Sequence, residues 1–253
     1  MGPGQFAAFE RALERRCTGE PVAYIRGLKE FYGLALSVDG RALIPRPETE
    51  LLVELGLDHL RRRLIGAPRP ADAPPIAIWD VGTGSGGVIV ALAVEARRRG
   101  YLREVKLLAS DLEREALSLA VENAAVHGVA DLIEFSAGDL LDAPRTVEHV
   151  DLLLANLPYV PTDVIAQVPV AASFEPRAAL DGGEDGLAVI RRLLPQLPAV
   201  LAGDGVAMLE IGAGQAEPLI PAVEASLAGW RLEFRADLAG IDRVAVLQPA
   251  ESR

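Results

Sequence analysis

The chain has 253 residues, half of them hydrophobic, and a formal net charge of −11. That length suits one large domain, or one domain with a small appendage. The acidic balance argues against a tight non-specific grip on duplex DNA, which needs Lys and Arg to neutralise phosphates, and it leaves room for a basic partner protein. No apolar run reaches membrane-spanning length without interruption, and the N-terminus lacks the basic-then-apolar pattern of a signal peptide, so the sequence reads as cytoplasmic. Cys17 is the only cysteine, which excludes an intrachain disulfide and a cysteine-based zinc site. His59, His127 and His149 are scattered, show no metal-ligand spacing and read as surface or helix-face residues.

Phe6, Phe9, Ala12, Leu13 and Cys17 recur at helical spacing over residues 4–17, and Thr18-Gly19-Glu20-Pro21 ends that helix. One helix cannot bury its own apolar face, so it is expected to pack on the main body or on a helical domain missing from this chain. Residues 31–44 hold two β-like runs around Asp39-Gly40, a hairpin turn signal. Pro45-Arg46-Pro47-Glu48-Thr49-Glu50 then opens a helix with carboxylates in its first turn, where the helix dipole favours them. That helix is expected to run to about Arg63, with Leu51, Leu52, Leu55 and Leu60 as its apolar face. Residues 66–75, rich in Pro and Ala, read as a linker.

From residue 76 the pattern becomes an alternation. Strands are predicted over 76–81, 105–110, 132–136, 150–155, 205–211, 230–235 and 243–248, and helices over 86–99, 113–127, 184–202 and 215–228. This predicts a doubly wound, mostly parallel α/β sheet of seven strands, its last two runs close enough to form an antiparallel hairpin.

Asp80-Val81-Gly82-Thr83-Gly84-Ser85-Gly86-Gly87 follows the first strand of the alternation and opens a helix. Glycines let the backbone turn tightly and approach a ligand, and a helix N-terminus offers free N–H groups. Gly82, Gly84 and Gly87 also satisfy the dinucleotide pattern GxGxxG, so the loop alone leaves NAD(P) and S-adenosylmethionine both open. Asp111, at the end of the second strand, can bind ribose hydroxyls of either. Asp80, directly before the glycines, is out of place beside a pyrophosphate, and a seven-strand pattern closing on a hairpin is the layout of class I methyltransferases. Both features favour S-adenosylmethionine. Asp139 and Leu140, after the third strand, are placed to meet an adenine: Asp139 to accept from its exocyclic amine, Leu140 to pack on its ring. A solvated turn residue is the plain alternative for Asp139. The cofactor candidates are therefore Asp80, Gly82, Thr83, Gly84, Ser85, Gly86, Asp111, Asp139 and Leu140, together with Asn156.

Asn156-Leu157-Pro158-Tyr159 ends the apolar run of residues 150–155. In an open α/β sheet, ligands sit outside the carboxyl ends of the strands. An Asn there can bond a planar amide or amine through both its oxygen and its NH₂ group. Pro158 fixes the backbone, and Tyr159 offers a flat face.

With the glycine loop, Asp111, Asp139 and Asn156-Leu157-Pro158-Tyr159 in this order, the chain resembles the amino-methyltransferases, which use an Asn/Asp-Pro-Pro-Tyr/Phe motif to methylate a planar nitrogen. Gly19-Glu20-Pro21, Glu30-Phe31-Tyr32-Gly33, Ile44-Pro45-Arg46-Pro47-Glu48-Thr49-Glu50, Phe174-Glu175-Pro176-Arg177, Asp185-Gly186-Leu187, Glu210-Ile211-Gly212 and Gln215 narrow this. They are similar to the release factor glutamine methyltransferases, the HemK/PrmC family. The resemblance implies a class I, Rossmann-like methyltransferase of residues 46–253. Residues 1–45 would form a short helix and β-hairpin, the remnant of a substrate-recognition domain plus linker. Family members carry an N-terminal bundle of several helices, of which residues 4–17 resemble the last.

The resemblance further implies methyl transfer from S-adenosylmethionine to the glutamine of the Gly-Gly-Gln motif in peptide chain release factors. Asn156, Leu157, Pro158 and Tyr159 would be its catalytic and substrate-binding residues. The Asn156 side-chain oxygen and the Leu157 carbonyl would accept the two amide N–H groups, and Tyr159 would pack on the glutamine. Phe31 would either line the substrate pocket or serve the hairpin core. Arg46 and Glu48 would order a loop over the cofactor or form a surface ion pair, and Glu175 would anchor a substrate loop or merely make a turn. Leu157 stands where the family has its first proline. Competing readings are a ribosomal-protein glutamine or the exocyclic amine of a base as target, and a non-catalytic methyltransferase-like binding module. Base methylation, and direct DNA binding with it, is disfavoured by the acidic charge.

Overall fold

The computed structural model describes residues 3–65, 70, 73–167 and 169–250. Of the predicted linker, residues 66–69 and 71–72 lie outside the described residues. The chain opens with α1 (Pro3–Cys17), α2 (Val22–Arg26) and a hairpin of β1 (Leu28–Phe31) and β2 (Leu34–Ser37), followed by a 3₁₀ turn (Pro47–Thr49) leading into α3 (Glu50–Ile65). The alternating part comprises β3 (Ile76–Val81), α4 (Gly87–Arg98), β4 (Val105–Asp111), α5 (Arg114–Val126), β5 (Ile133–Ala137) and β6 (Val150–Ala155). It continues through α6 (Thr162–Ile165), α7 (Ala188–Leu193), α8 (Leu197–Val200), β7 (Leu201–Glu210), α9 (Ala216–Ser226), β8 (Trp230–Ala236) and β9 (Asp242–Pro249).

The large sheet has the order β5-β4-β3-β6-β7-β9-β8. β3 through β7 pair in parallel, and β9 enters antiparallel between β7 and β8, as the predicted closing hairpin requires. Strands buried on both faces need apolar residues throughout, and all six residues of β3 are buried. Alternate residues serve opposite faces. Ile76 and Ile78 join the cluster under α3, α4 and the hairpin, while Ala77, Trp79 and Val81 join the cluster under α7, α8 and α9. The strand order reverses between β3 and β6, so the crevice of the sheet opens between the loops that follow these two strands.

Three expectations are corrected. The hairpin turns at Tyr32-Gly33, with Phe31 paired to Leu34, and Asp39-Gly40 lies beyond β2. A type I′ turn, one of the two that match the strand twist, needs positive φ at both residues, and Tyr32 (50°) and Gly33 (72°) supply it. Asp39 instead accepts the Arg41 backbone N–H at 3.0 Å, a local turn of its own. On α3 the buried face is Leu52, Val53, Gly56, Leu57 and Leu60, with Leu51 and Leu55 only partly covered. Gly56 is what rotates the face: a Cβ there would stand 3.5 Å from Leu154 and Leu92, so the helix backbone lies directly on the sheet and α4. The helix predicted over 184–202 is divided into α7, a 3₁₀ turn (Leu194–Gln196) and α8 because Pro195 and Pro198 donate no N–H, and Leu201 already begins β7.

A buried side chain of the body binds the hairpin and the glycine loop together. Asn123 of α5 accepts the Ser37 N–H (2.7 Å), donates to the Ser37 carbonyl (3.0 Å), and donates to the Ser85 carbonyl of the glycine loop (2.9 Å). By contrast α1 is not covered. Phe6, Phe9 and Leu13 are each more than half exposed, so the predicted packing of its apolar face on the body does not occur among the described residues. Asn123→Ala removes three hydrogen bonds, each worth about 1 kcal/mol net, and should cost roughly 3 kcal/mol. Urea unfolding would show it as a lower midpoint at unchanged slope.

Candidate active site

A cleft opens at the carboxyl ends of β3, β4, β5 and β6. It is lined by Asp80, Gly82, Thr83, Gly84, Ser85, Asp111, Asp139, Leu140, Asn156, Leu157 and Pro158, with Phe31 from the hairpin and Arg46 and Thr49 from the entry to α3. Two of the expected residues do not line it. Gly86 (φ 83°) turns the loop into α4, and a Cβ there would lie 3.0 Å from Ala120. Tyr159 stands behind the cleft wall, its phenol donating to Glu210 at 3.2 Å. Phe31 is fully buried, its ring against Gly87, so it shapes the cleft from within the core.

The glycine loop is held by carboxylates. Asp111 accepts the Gly84 N–H through Oδ2 (2.8 Å) and the Glu113 N–H through Oδ1 (2.9 Å). Asp80 accepts the Thr83 hydroxyl at 2.6 Å. Burial raises the pKa of both, pushing Asp80 to about 7, with the Asp111 charge adding to it. Gly84 (φ 57°) would carry a Cβ into open space, so the cradle above it is free for a ligand. Gly82 (φ 71°) is instead covered: its Cβ would meet Leu157 Cδ2 at 3.0 Å, so the loops after β3 and β6 interlock.

Charge decides between the two cofactors left open. Asp80, Asp111, Glu113 and Asp139 all face the cleft. Its three arginines are already paired: Arg41 with Asp39 and Glu122, Arg46 with Glu175, and Arg192 with Asp139. A pyrophosphate would meet the carboxylates of Asp80, Asp111 and Glu113, which no arginine of the cleft pairs. The donor set fits S-adenosylmethionine, which offers a sulfonium, an ammonium, two ribose hydroxyls and an adenine amine. Asp139 is partly exposed but not wholly free, since its Oδ2 is engaged by Arg192.

Around Asn156 the structure shows what single motifs could not. Asn156 Nδ2 donates to the Thr49 hydroxyl at 3.0 Å, whereas its Oδ1 and the Leu157 carbonyl accept nothing among the described residues. Gln215 braces the next turn, accepting the Gly212 N–H (2.7 Å) and donating to the Tyr159 carbonyl (2.9 Å). Glu175 is an anchor, accepting the Ile44 N–H (3.0 Å) and Arg46 (2.6 Å). Glu48 is exposed and makes no ion pair with Arg46 among the described residues. The roles of Thr49, Glu210, Gln215 and Asn123 were not legible beforehand. All but Asn123 sat inside recognised motifs, but their partners lie tens of residues away.

The RMKL-like methyltransferase domain matches residues 60–162, and the PrmC N-terminal domain matches residues 1–27. Release factor glutamine methyltransferases of Moorella thermoacetica and Deinococcus radiodurans are each 37% identical over 243 residues, covering 96% of this chain and 80% of theirs. The chain belongs to the release factor glutamine methyltransferase family. The N-terminal domain of human METTL16 in complex with SAH superposes with a TM-score of 0.54 at 18% identity, covering 87% of this chain and 77% of that one, a likeness of fold alone. Family membership carries the class I architecture with it, and the sheet order agrees.

The raised pKa of Asp80 has a sign that can be checked. An acid whose pKa rises from 3.8 to about 7 on folding costs stability once ionised. The cost is absent below about pH 4, grows up to about pH 7 and is constant above. Asp80→Asn should therefore be more stable than the parent at pH 8, by a few kcal/mol at about 1.4 per pKa unit, and equal to it near pH 4. Urea unfolding at the two pH values measures the difference.

Proposed function

We propose that this chain transfers a methyl group from S-adenosylmethionine to the side-chain amide nitrogen of the glutamine in the Gly-Gly-Gln motif of peptide chain release factors, in the cytoplasm. The observation that carries the reading is the state of Asn156. Its Nδ2 is engaged by Thr49, so what it turns to a ligand is an acceptor, and the Leu157 carbonyl is a second. Two acceptors suit a primary amide with two N–H groups. The name shared by the Moorella thermoacetica and Deinococcus radiodurans relatives selects the glutamine of a release factor.

A carboxamide nitrogen is a poor nucleophile because its lone pair is delocalised. The protein's main contribution is orientation, for which roughly 7–11 kcal/mol is available. Accepting both N–H groups also raises electron density on the nitrogen as positive charge develops there. Asp111 would hold the ribose, Asp139 and Leu140 the adenine, and Asp80 with Gly82–Gly86 the amino-acid end and the loop around it. When bound, S-adenosylmethionine supplies an already activated methyl group on its sulfonium. Pro158 would fix the loop. Tyr159, anchored on Glu210 and Gln215, would support it from behind the cleft wall. Phe31 would shape the floor.

Residues 1–45 would serve partner recognition and residues 46–253 the chemistry, although Phe31 and Leu36 of the hairpin bury in the same core as α3 and α4. A nucleobase amine would also suit two acceptors. It is disfavoured because the cleft arginines are already paired and the net charge is −11. A helix long and apolar enough to cross a membrane is absent among the described residues.

Incubation with labelled S-adenosylmethionine and release factor, followed by mass spectrometry, should place one methyl on the glutamine of Gly-Gly-Gln. Label on a ribosomal protein or on DNA, with none on the release factor, would reject the substrate. Asn156→Ala should lower kcat by about 100-fold or more, the scale of losing one aligned polar group at a reacting centre. Cofactor affinity by calorimetry should hold within about threefold, because the glycine loop and Asp111 are untouched.

A further inference from the structure

We propose that Gln215 is a positioning residue: it fixes the Tyr159 peptide group and through it aims the Leu157 carbonyl at the substrate amide. This rests on the reading of that carbonyl as an acceptor for one of the two amide N–H groups.

An acceptor orients a substrate only if its own direction is fixed. Nothing bonds the Leu157 peptide directly, since neither its N–H nor its carbonyl has a hydrogen-bond partner among the described residues. A proline at this position would fix its own φ through its ring, and a leucine does not. The direction of the carbonyl is therefore set by what holds the chain on either side. Upstream, Ala155 is in register with Val81 and Leu209, and Asn156 is tied to Thr49. Downstream, the Pro158 ring fixes one torsion, and the next fixed point is Tyr159.

Tyr159 is held at its phenol by Glu210 and at its peptide group by two further bonds. The Val160 N–H donates to the Leu180 carbonyl (2.9 Å), and the Tyr159 carbonyl accepts Gln215 Nε2 (2.9 Å). Gln215 is buried at the start of α9. Its amide can point only one way. Oε1 accepts the Gly212 N–H at 2.7 Å, and reversal would set donor against donor there and acceptor against acceptor at Tyr159. The backbone is pressed closely around this bond. A Cβ on Gly212 would lie 3.0 Å from Gln215 Oε1 and 3.2 Å from the Tyr159 ring, and one on Gly186 would run into the Tyr159 carbonyl and Gln215 Nε2. Without the Nε2 donor the Tyr159 carbonyl loses this bond, its peptide group can turn, and the Leu157 carbonyl swings with it. Gln215 is not among the residues lining the cleft, so the cofactor should not feel the change.

Gln215→Glu keeps the shape and the acceptor for Gly212 and removes the donor to Tyr159. The test is single-turnover methyl transfer to release factor, at saturating labelled S-adenosylmethionine, for the parent, Gln215→Glu, Asn156→Ala and the double variant. Gln215→Glu should lower the rate constant about tenfold or more, short of the roughly 10²-fold that a misplacement of about 1 Å can cost. Cofactor affinity by calorimetry should stay within about twofold, because only the substrate amide is misaligned. In the Asn156→Ala background the same change should cost about twofold or less, since residues that act as a unit are non-additive. A bond that served the fold alone would cost the same factor in both backgrounds. By NMR, the Val160 amide should exchange with deuterium faster in Gln215→Glu, while the Gly84 amide, bonded to Asp111 at 2.8 Å, keeps its parental rate. A parental rate constant in Gln215→Glu, an equal loss in both backgrounds, or unchanged Val160 exchange would overturn the proposal. If the parent labels no glutamine, the functional reading fails and Val160 exchange alone decides whether Gln215 holds the loop, faster exchange supporting it and unchanged exchange rejecting it. If Gln215→Glu does not fold, as circular dichroism would show, Gln215→Met, which keeps the length and lacks the donor, takes its place in every arm.

Discussion

Val81 and Ala155 lie side by side in the sheet, and the site depends on that register. It brings the glycine loop and the Asn156 loop out of the sheet together, at the point where the strand order reverses. There Leu157 packs over Gly82, in space that only a residue without a Cβ leaves free. A slip of one residue in either strand would turn its side chains to the wrong face, putting Asp80 among the residues under α7 and α8. The two apolar clusters on the faces of the sheet hold the register, because each accepts alternate residues of β3 and of residues 152–155 of β6.

The polar residues placed on this frame are electrostatically costly. Asp80, Glu175 and Glu210 are all buried. Only Glu175 is compensated by a full positive charge, that of Arg46. Asp80 and Glu210 rely on hydroxyl and backbone donors, which is why burial leaves both titrating near neutrality. Such groups are expensive to retain in a core that could be wholly apolar. Their concentration at one cleft marks where stability has been given up for function.

The N-terminal part is attached by a few specific bonds. Glu175 fastens the segment at Ile44 and Arg46, Asn123 fastens β2, and Phe31 fills the core against Gly87. These bonds make the hairpin and the α3 entry part of the catalytic body, and Thr49 reaches Asn156 only because that entry is fixed. α1 stands apart from this network, with Phe6, Phe9 and Leu13 facing solvent.

The sequence by itself determined the alternating sheet, because continuous apolar runs such as Ile76–Val81 and Val150–Ala155 have no other stable setting than strands buried on both faces. It also determined the ligand end of that sheet, because glycines and a polar Asn interrupt those runs at their carboxyl ends. It misplaced the hairpin turn, because Asp39-Gly40 has turn chemistry and Tyr32-Gly33 does not look like a turn until Tyr32 is seen at positive φ. It missed the break at Pro195 and Pro198, where helical apolar spacing masked the lost donors. Only the tertiary structure decided which end of Asn156 is engaged, that Tyr159 stands behind the cleft wall, and that Thr49, Glu210 and Gln215 support the motif. A hydrogen bond between residues 107 positions apart depends on where two elements cross in space, and no periodicity or local spacing encodes that crossing.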